Sequence, residues 1–118
     1  MTTITFFRSN GIFYGFEEAG HVGYGEWGSD PFCAMLSSIT MYIVDAIEDV
    51  YHGEVRYDIN DDDTVITVRS RSALPAYEED ERVRFAVSGL IQAYYFQLMD
   101  LVEEYYEFLD VKEVEKAL

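Results

Sequence analysis

The sequence predicts an α+β fold in the order ββαββα, a four-stranded, mainly antiparallel sheet with two helices packed on one face. Three observations carry this expectation. Two pairs of short, β-rich segments each flank a turn signal, and two longer segments repeat their apolar residues at helical spacing. No internal repeat or low-complexity linker interrupts them. A single domain spanning residues 1–118 is expected, because a chain of this length builds one hydrophobic core but not two.

Thr3 to Arg8 (TITFFR) reads as a strand, and Ser9-Asn10-Gly11 carries the Asn-Gly signal of a tight hairpin turn. Ile12 to Phe16 (IFYGF) is the returning strand. From Glu17 to Asp30 no period holds, and four of the chain's eight glycines (Gly20, Gly23, Gly25 and Gly28) fall in this stretch. Such density marks a loop of unusual shape. Asp30 then suits an N-cap and Pro31 the first helical position, where its missing N–H costs nothing. Phe32, Met35, Leu36, Ile39, Ile43, Ala46, Ile47 and Val50 recur at helical spacing, and Gly53 is the expected stop.

Glu54 to Ile59 and Thr64 to Ser70 alternate at period two around Asn60-Asp61-Asp62-Asp63, a second hairpin. Arg71 to Glu79 connects it to a long helix, Asp80 to Leu109. Val83, Val87, Leu90, Ile91, Tyr94, Leu98, Leu101, Val102, Tyr105 and Leu109 line one face of that helix. Asp110 to Leu118 is expected as a short helical turn or a frayed end. A second apolar set on the long helix (Phe85, Tyr95, Phe96, Met99 and Tyr106) points away from the first. One sheet cannot cover both, so a homodimer involving this helix is expected.

Composition narrows the function classes. At 49% apolar and 16% aromatic the chain is no disordered polymer. No run of about 18 apolar residues exists to span a membrane, and the first residues lack a basic segment followed by an apolar one, so a cytoplasmic location is expected. The single cysteine forms no internal disulfide, in keeping with a reducing compartment. A net charge of -15, from 23 acidic and 8 basic residues, repels nucleic acid and anionic lipid. The acidity serves either solubility alone or the attraction of a basic substrate such as a Lys/Arg-rich protein tail; composition does not decide.

Cys33 falls near the third helical position behind Asp30. A thiol there faces the N–H groups and the positive dipole end of a helix start, both of which favour the thiolate that peptide cleavage requires. His21 lies twelve residues earlier, across the glycine-rich loop. An imidazole beside the thiol takes its proton and later protonates the leaving amine, while first-turn N–H groups stabilise an oxyanion. The plain alternative is a cysteine buried for packing. His52, in the last turn of the helix, is read as a C-terminal dipole partner with no chemistry. A metal site built from His21, Asp30 and Cys33 lacks a fourth ligand at a convincing spacing, and no resolving cysteine supports a redox role.

Gly20-His21-Val22-Gly23 through Gly28-Ser29-Asp30-Pro31-Phe32-Cys33-Ala34 to Ser37 resembles the ribosomal-processing cysteine protease family, Prp. The shared pattern is a Gly-His start, then Gly-x-Asp, two residues, Cys-Ala, and a serine four after the cysteine. Val22 replaces the usual alanine, and Pro31-Phe32 the usual aliphatic pair, the second being a change that can reshape the substrate pocket. The resemblance implies a cysteine endopeptidase that removes the N-terminal extension of a bacterial large-subunit ribosomal protein, the twenty-seventh of its series. It implies a homodimer, a flexible loop over the site, and no metal or cofactor.

In these terms His21 is the general base and acid and Cys33 the nucleophile. Asp30 either caps the helix, orients His21 or receives a basic substrate residue. Ser37 is either an ordinary helix serine or a hydrogen-bond partner near the site. The substrate loop comprises Gly20, Gly23, Tyr24, Gly25, Trp27 and Gly28; Tyr24 and Trp27 pack on the cleaved sequence or anchor the loop to the core. The loop is expected to order over bound peptide and complete the dyad only then. The rival reading is a non-catalytic acidic dimer that binds or chaperones a basic ribosomal protein.

Overall fold

In the computed structural model, residues 1–20, 31–60 and 65–118 are described. Strand β1 (Thr2–Ser9) runs into β2 (Ile12–Ala19) through Asn10-Gly11. Both turn residues have positive φ, 51° and 80°. That is the conformation a two-residue hairpin turn demands, and asparagine and glycine bear it at least cost. Phe6 pairs with Phe16 and Ile4 with Glu18, so these four share one face of the sheet. Between Phe7–Gly15 and Arg8–Phe13 the register slips by one residue, leaving Tyr14 as the extra residue of a bulge.

Helix α1 (Pro31–Asp45) passes directly into a π-helical turn, Ala46–Val50. Leu36, Ile43, Val44 and Ile47 are buried, whereas Val50, expected inside, is exposed. The widened turn shifts the helical phase there. His52 carries the left-handed conformation (φ 54°) that ends the element, rather than Gly53. Gly53 follows in a tight corner where an added Cβ would press on Ser72 and Ile47.

Strands β3 (Arg56–Asn60) and β4 (Val65–Arg69) pair antiparallel as expected. The aspartate-rich turn at 61–64 lies outside the described residues. Helix α2 (Glu81–Tyr105) begins at Asp80, whose carboxylate accepts the backbone N–H of Arg82 at 2.9 Å. Bonding to Arg82 holds that carboxyl below its usual range.

Two expectations at the far end are corrected. The long helix stops at Tyr105, not Leu109, and Asp110 to Leu118 is neither helical nor frayed: Leu109–Glu115 form a further strand, β5. It lies parallel to β1, with Thr2 opposite Leu109 and Arg8 opposite Glu115. The sheet is therefore five-stranded and mixed, in the order β3-β4-β2-β1-β5, not four-stranded. Only Leu109 and Val111 pack inward, and the remaining Asp, Lys and Glu residues face solvent, a composition that hides a strand on an edge. The Glu115 carboxylate accepts the N–H groups of Asn10 (3.1 Å) and Gly11 (2.8 Å), and the Tyr14 hydroxyl donates to the Lys116 carbonyl (2.6 Å). These bonds fasten β5 to the hairpin.

Both helices cover the sheet face that carries Phe6, Phe16 and Glu18. Aromatic rings fill the space beneath α2: Phe6 meets Phe16 at 5.5 Å, Tyr94 at 5.7 Å and Tyr95 at 5.3 Å between centroids, so Tyr95, expected on the uncovered side of the helix, packs against the core instead. On the opposite face Phe7 stacks on Tyr14, and the cations of Arg69 and Lys116 lie over the Phe7 ring.

Candidate active site

Cys33 is the third residue of α1 and only 5% exposed. A helix start presents backbone N–H groups without intrahelical acceptors, together with the positive dipole end, and this stabilises thiolate. Ser37 follows one turn later on the same face. Cys33, Ala34, Ser37, Thr40 and Met41 form one wall of a cavity of about 300 Å³. Tyr57 and Ile59 of β3 and Ile66 of β4 form the other.

The cavity follows from strand order. Tyr57 pairs with Val68 and Ile59 with Ile66, so both β3 side chains lie on the helix-covered side of the sheet. β3 is nevertheless an edge strand, and Tyr57 and Ile59 remain 48% and 47% exposed. The cysteine thus borders an apolar trough whose far lip is an open sheet edge. A larger cavity, about 730 Å³, adjoins Arg56, Asp58, Thr67 and Arg69 and, among the described residues, shares only Tyr57 with the first. Among the described residues three arginines and three acids line it, with neither thiol nor imidazole.

Of the residues expected at the site, the structure brings together Cys33 and Ser37. Gly20 closes β2 with φ 87°, where an added Cβ would collide with the Met1 carbonyl oxygen, so glycine is required. His21, Gly23, Tyr24, Gly25, Trp27, Gly28 and Asp30 lie outside the described residues. His52 is exposed at the far end of the helical segment, away from the cavity.

Beneath the cavity wall lies a group the sequence reading passed over. Glu18 is 0% exposed. Its Oε1 lies 2.7 Å from the Thr40 hydroxyl and 2.8 Å from the Tyr94 hydroxyl, while Oε2 is buried with no hydrogen-bond partner among the described residues. Burial, opposed only by those two hydroxyls, pushes its carboxyl up to about 7. The Tyr94 phenol is pushed well up in turn, by burial and then by the carboxylate beside it. The available signal was period two: carrying the strand two residues beyond Phe16 places Glu18 inward. Tyr57 and Ile59 were legible as strand residues, but not as walls facing Cys33.

The cysteine protease Prp family model matches residues 1–110. No curated protein matches the chain significantly. Among solved structures, SMU.848 from Streptococcus mutans is 28% identical with a TM-score of 0.75, covering 98% of this chain and 99% of that one. The essential ribosomal processing protease Prp from S. aureus, in complex with a covalently linked product peptide, is 21% identical with a TM-score of 0.74. That match covers 97% of this chain and 100% of the other. The same protease with a substrate peptide is 20% identical with a TM-score of 0.69, covering 98% and 100%. A family match across nearly the whole chain, on a fold shared end to end, places this protein: it belongs to the Prp family of cysteine proteases.

Proposed function

We propose that the chain is a cysteine endopeptidase that removes the N-terminal extension of a bacterial large-subunit ribosomal protein, the twenty-seventh of its series, in the cytoplasm. The observation that carries this reading is Cys33 at a helix start, on the wall of an apolar cavity open along a strand edge. An extended peptide fits beside such an edge, and the cavity suits an apolar side chain next to the cleaved bond. The S. aureus relative is seen with a peptide covalently linked and with a substrate peptide, which supports the same use here.

In the reaction His21 takes the thiol proton, and the Cys33 sulfur attacks the scissile carbonyl carbon. Backbone N–H groups of the first turn of α1 hold the oxyanion. His21 then gives the proton to the amine as the C–N bond breaks, leaving an acyl-enzyme that water hydrolyses with His21 as base. The loop of Gly20, Gly23, Tyr24, Gly25, Trp27 and Gly28 covers the peptide, Asp30 caps α1, and Ser37 borders the thiol. An acidic surface draws a basic substrate tail. Two copies associate through the α2 face where Phe85, Phe96 and Met99 are exposed.

The test is a peptide spanning the ribosomal protein's N-terminal extension, incubated with the protein and with Cys33→Ala and read by mass. Cleavage by the native chain alone is expected. Cleavage by neither, or by both equally, overturns the proposal, and binding without cleavage would favour a non-catalytic acidic dimer.

A further inference from the structure

We propose that Glu18 is a positioning residue for Cys33, its carboxyl acting through the Thr40 hydroxyl to set the charge and hydrogen bonding of the cavity wall behind the thiol. The proposal takes Cys33 as the reactive thiol, as in the function proposed above. It starts from placement: Glu18 faces the helices between Ile4 of β1 and Ile66 of β4, both buried. Thr40 meets it from α1 and Tyr94 from α2. No cation meets it from any of these elements among the described residues, and the Tyr94 phenol is the one other titratable group in contact. An acid in such a setting, without a counter-ion, exchanges its proton near neutrality rather than near pH 4.

Proton bookkeeping links that exchange to the cavity. The Thr40 hydroxyl has one hydrogen and two acceptors in reach, Glu18 Oε1 at 2.7 Å and the Leu36 carbonyl at 2.8 Å. When Glu18 is ionised, the hydroxyl turns its proton to the carboxylate and releases the carbonyl. When Glu18 is protonated, the acid donates to Thr40 Oγ1, and Thr40 donates to Leu36. Thr40 lines the same cavity as Cys33, so the wall changes its donor pattern as Glu18 titrates. The two residues are seven positions apart on α1, about 10 Å along the helix axis. A negative charge behind that wall disfavours thiolate at its mouth. Ionised Glu18 therefore restrains the thiol as pH rises above neutral.

The chain's single cysteine makes the test independent of proteolysis. Alkylation by iodoacetamide, followed by intact mass across pH 5–9, reads Cys33 alone. The native chain should show a break in its rate profile, and Glu18→Gln should lose that break and react up to about tenfold faster at pH 8. A break that survives in Glu18→Gln, as titration of His21 would produce, overturns the proposal. Should that variant fail to fold, the native chain still decides: the Glu18 carboxyl ¹³C shift must titrate with the same midpoint as the break, and differing midpoints overturn it. A break that vanishes with Glu18→Gln in a protein that cleaves no peptide upholds the coupling while the protease reading fails.

Discussion

The Tyr94 hydroxyl donates to Oε1 of Glu18 across 2.8 Å, tying the middle of α2 to the last turn-ward residues of β2. The bond is part of the sheet's attachment to its helices, and its acceptor is an acid. Folded Glu18 titrates near 7 rather than 4.5, so the native state holds a proton that the unfolded chain releases earlier. That contribution is full below about pH 4.5 and is lost as pH rises through 7. Glu18→Gln should remove the dependence. Its stability relative to the native chain should improve between pH 5 and 8 by an amount on the order of 3 kcal/mol at most, read by urea unfolding. Tyr94→Phe should raise the Glu18 midpoint further, because a donor to the ionised form is gone.

Ile59→Asp places a charge on the open lip of the cysteine's cavity. The side chain is half exposed, so melting temperature should hold within a few degrees. Peptide cleavage should fall by tenfold or more in kcat/KM, with the loss mainly in KM, if the cavity takes an apolar substrate side chain. Unchanged kinetics would detach the cavity from the substrate.

Gly20→Ala meets both a left-handed backbone and the Met1 carbonyl. A cost of about 1–3 kcal/mol in thermal or chemical unfolding is expected. Because Gly20 immediately precedes His21, cleavage should drop by more than the stability loss explains.

Leu109→Ala tests the fifth strand. Leu109 is 1% exposed, and the substitution should cost roughly 2–5 kcal/mol by urea unfolding.

Phe96→Glu addresses the uncovered face of α2, where Phe96 is 57% exposed. Sedimentation should show the native chain as a dimer and the variant as a monomer of unchanged far-ultraviolet dichroism.

Much of the architecture was legible because local chemistry and global fold agree. Asn10-Gly11 announces a hairpin, Asp80 announces a helix start, and the 3.6-residue period of Leu36, Ile43 and Ile47 marks the buried face of α1. What stayed hidden depends on partners distant in sequence. β5 is written in Glu and Lys, residues that suit a helix as well, and only its pairing with β1 makes it a strand. Glu18 resembles any surface acid until the strand is carried past Phe16. At the site, Cys33 and Ser37 were readable from helix position and family pattern, yet the facing wall of Tyr57, Ile59 and Ile66 arises from the packing of α1 over β4, which no local motif encodes.

The parallel pairing of β1 with β5 bears on how the molecule assembles. Thr2 and Leu109 are neighbours in the sheet although roughly a hundred residues separate them along the chain. Closing so long a loop delays the contact until most other structure exists, so β1 spends the early part of folding with one bare flank. During that interval a strand bearing Ile4, Phe6 and Phe7 is open to the wrong neighbour, including its counterpart in another molecule. The acidic, charge-rich make-up of β5 then has a kinetic meaning: the late strand is itself a poor seed for aggregation, and its arrival ends the vulnerability of the first.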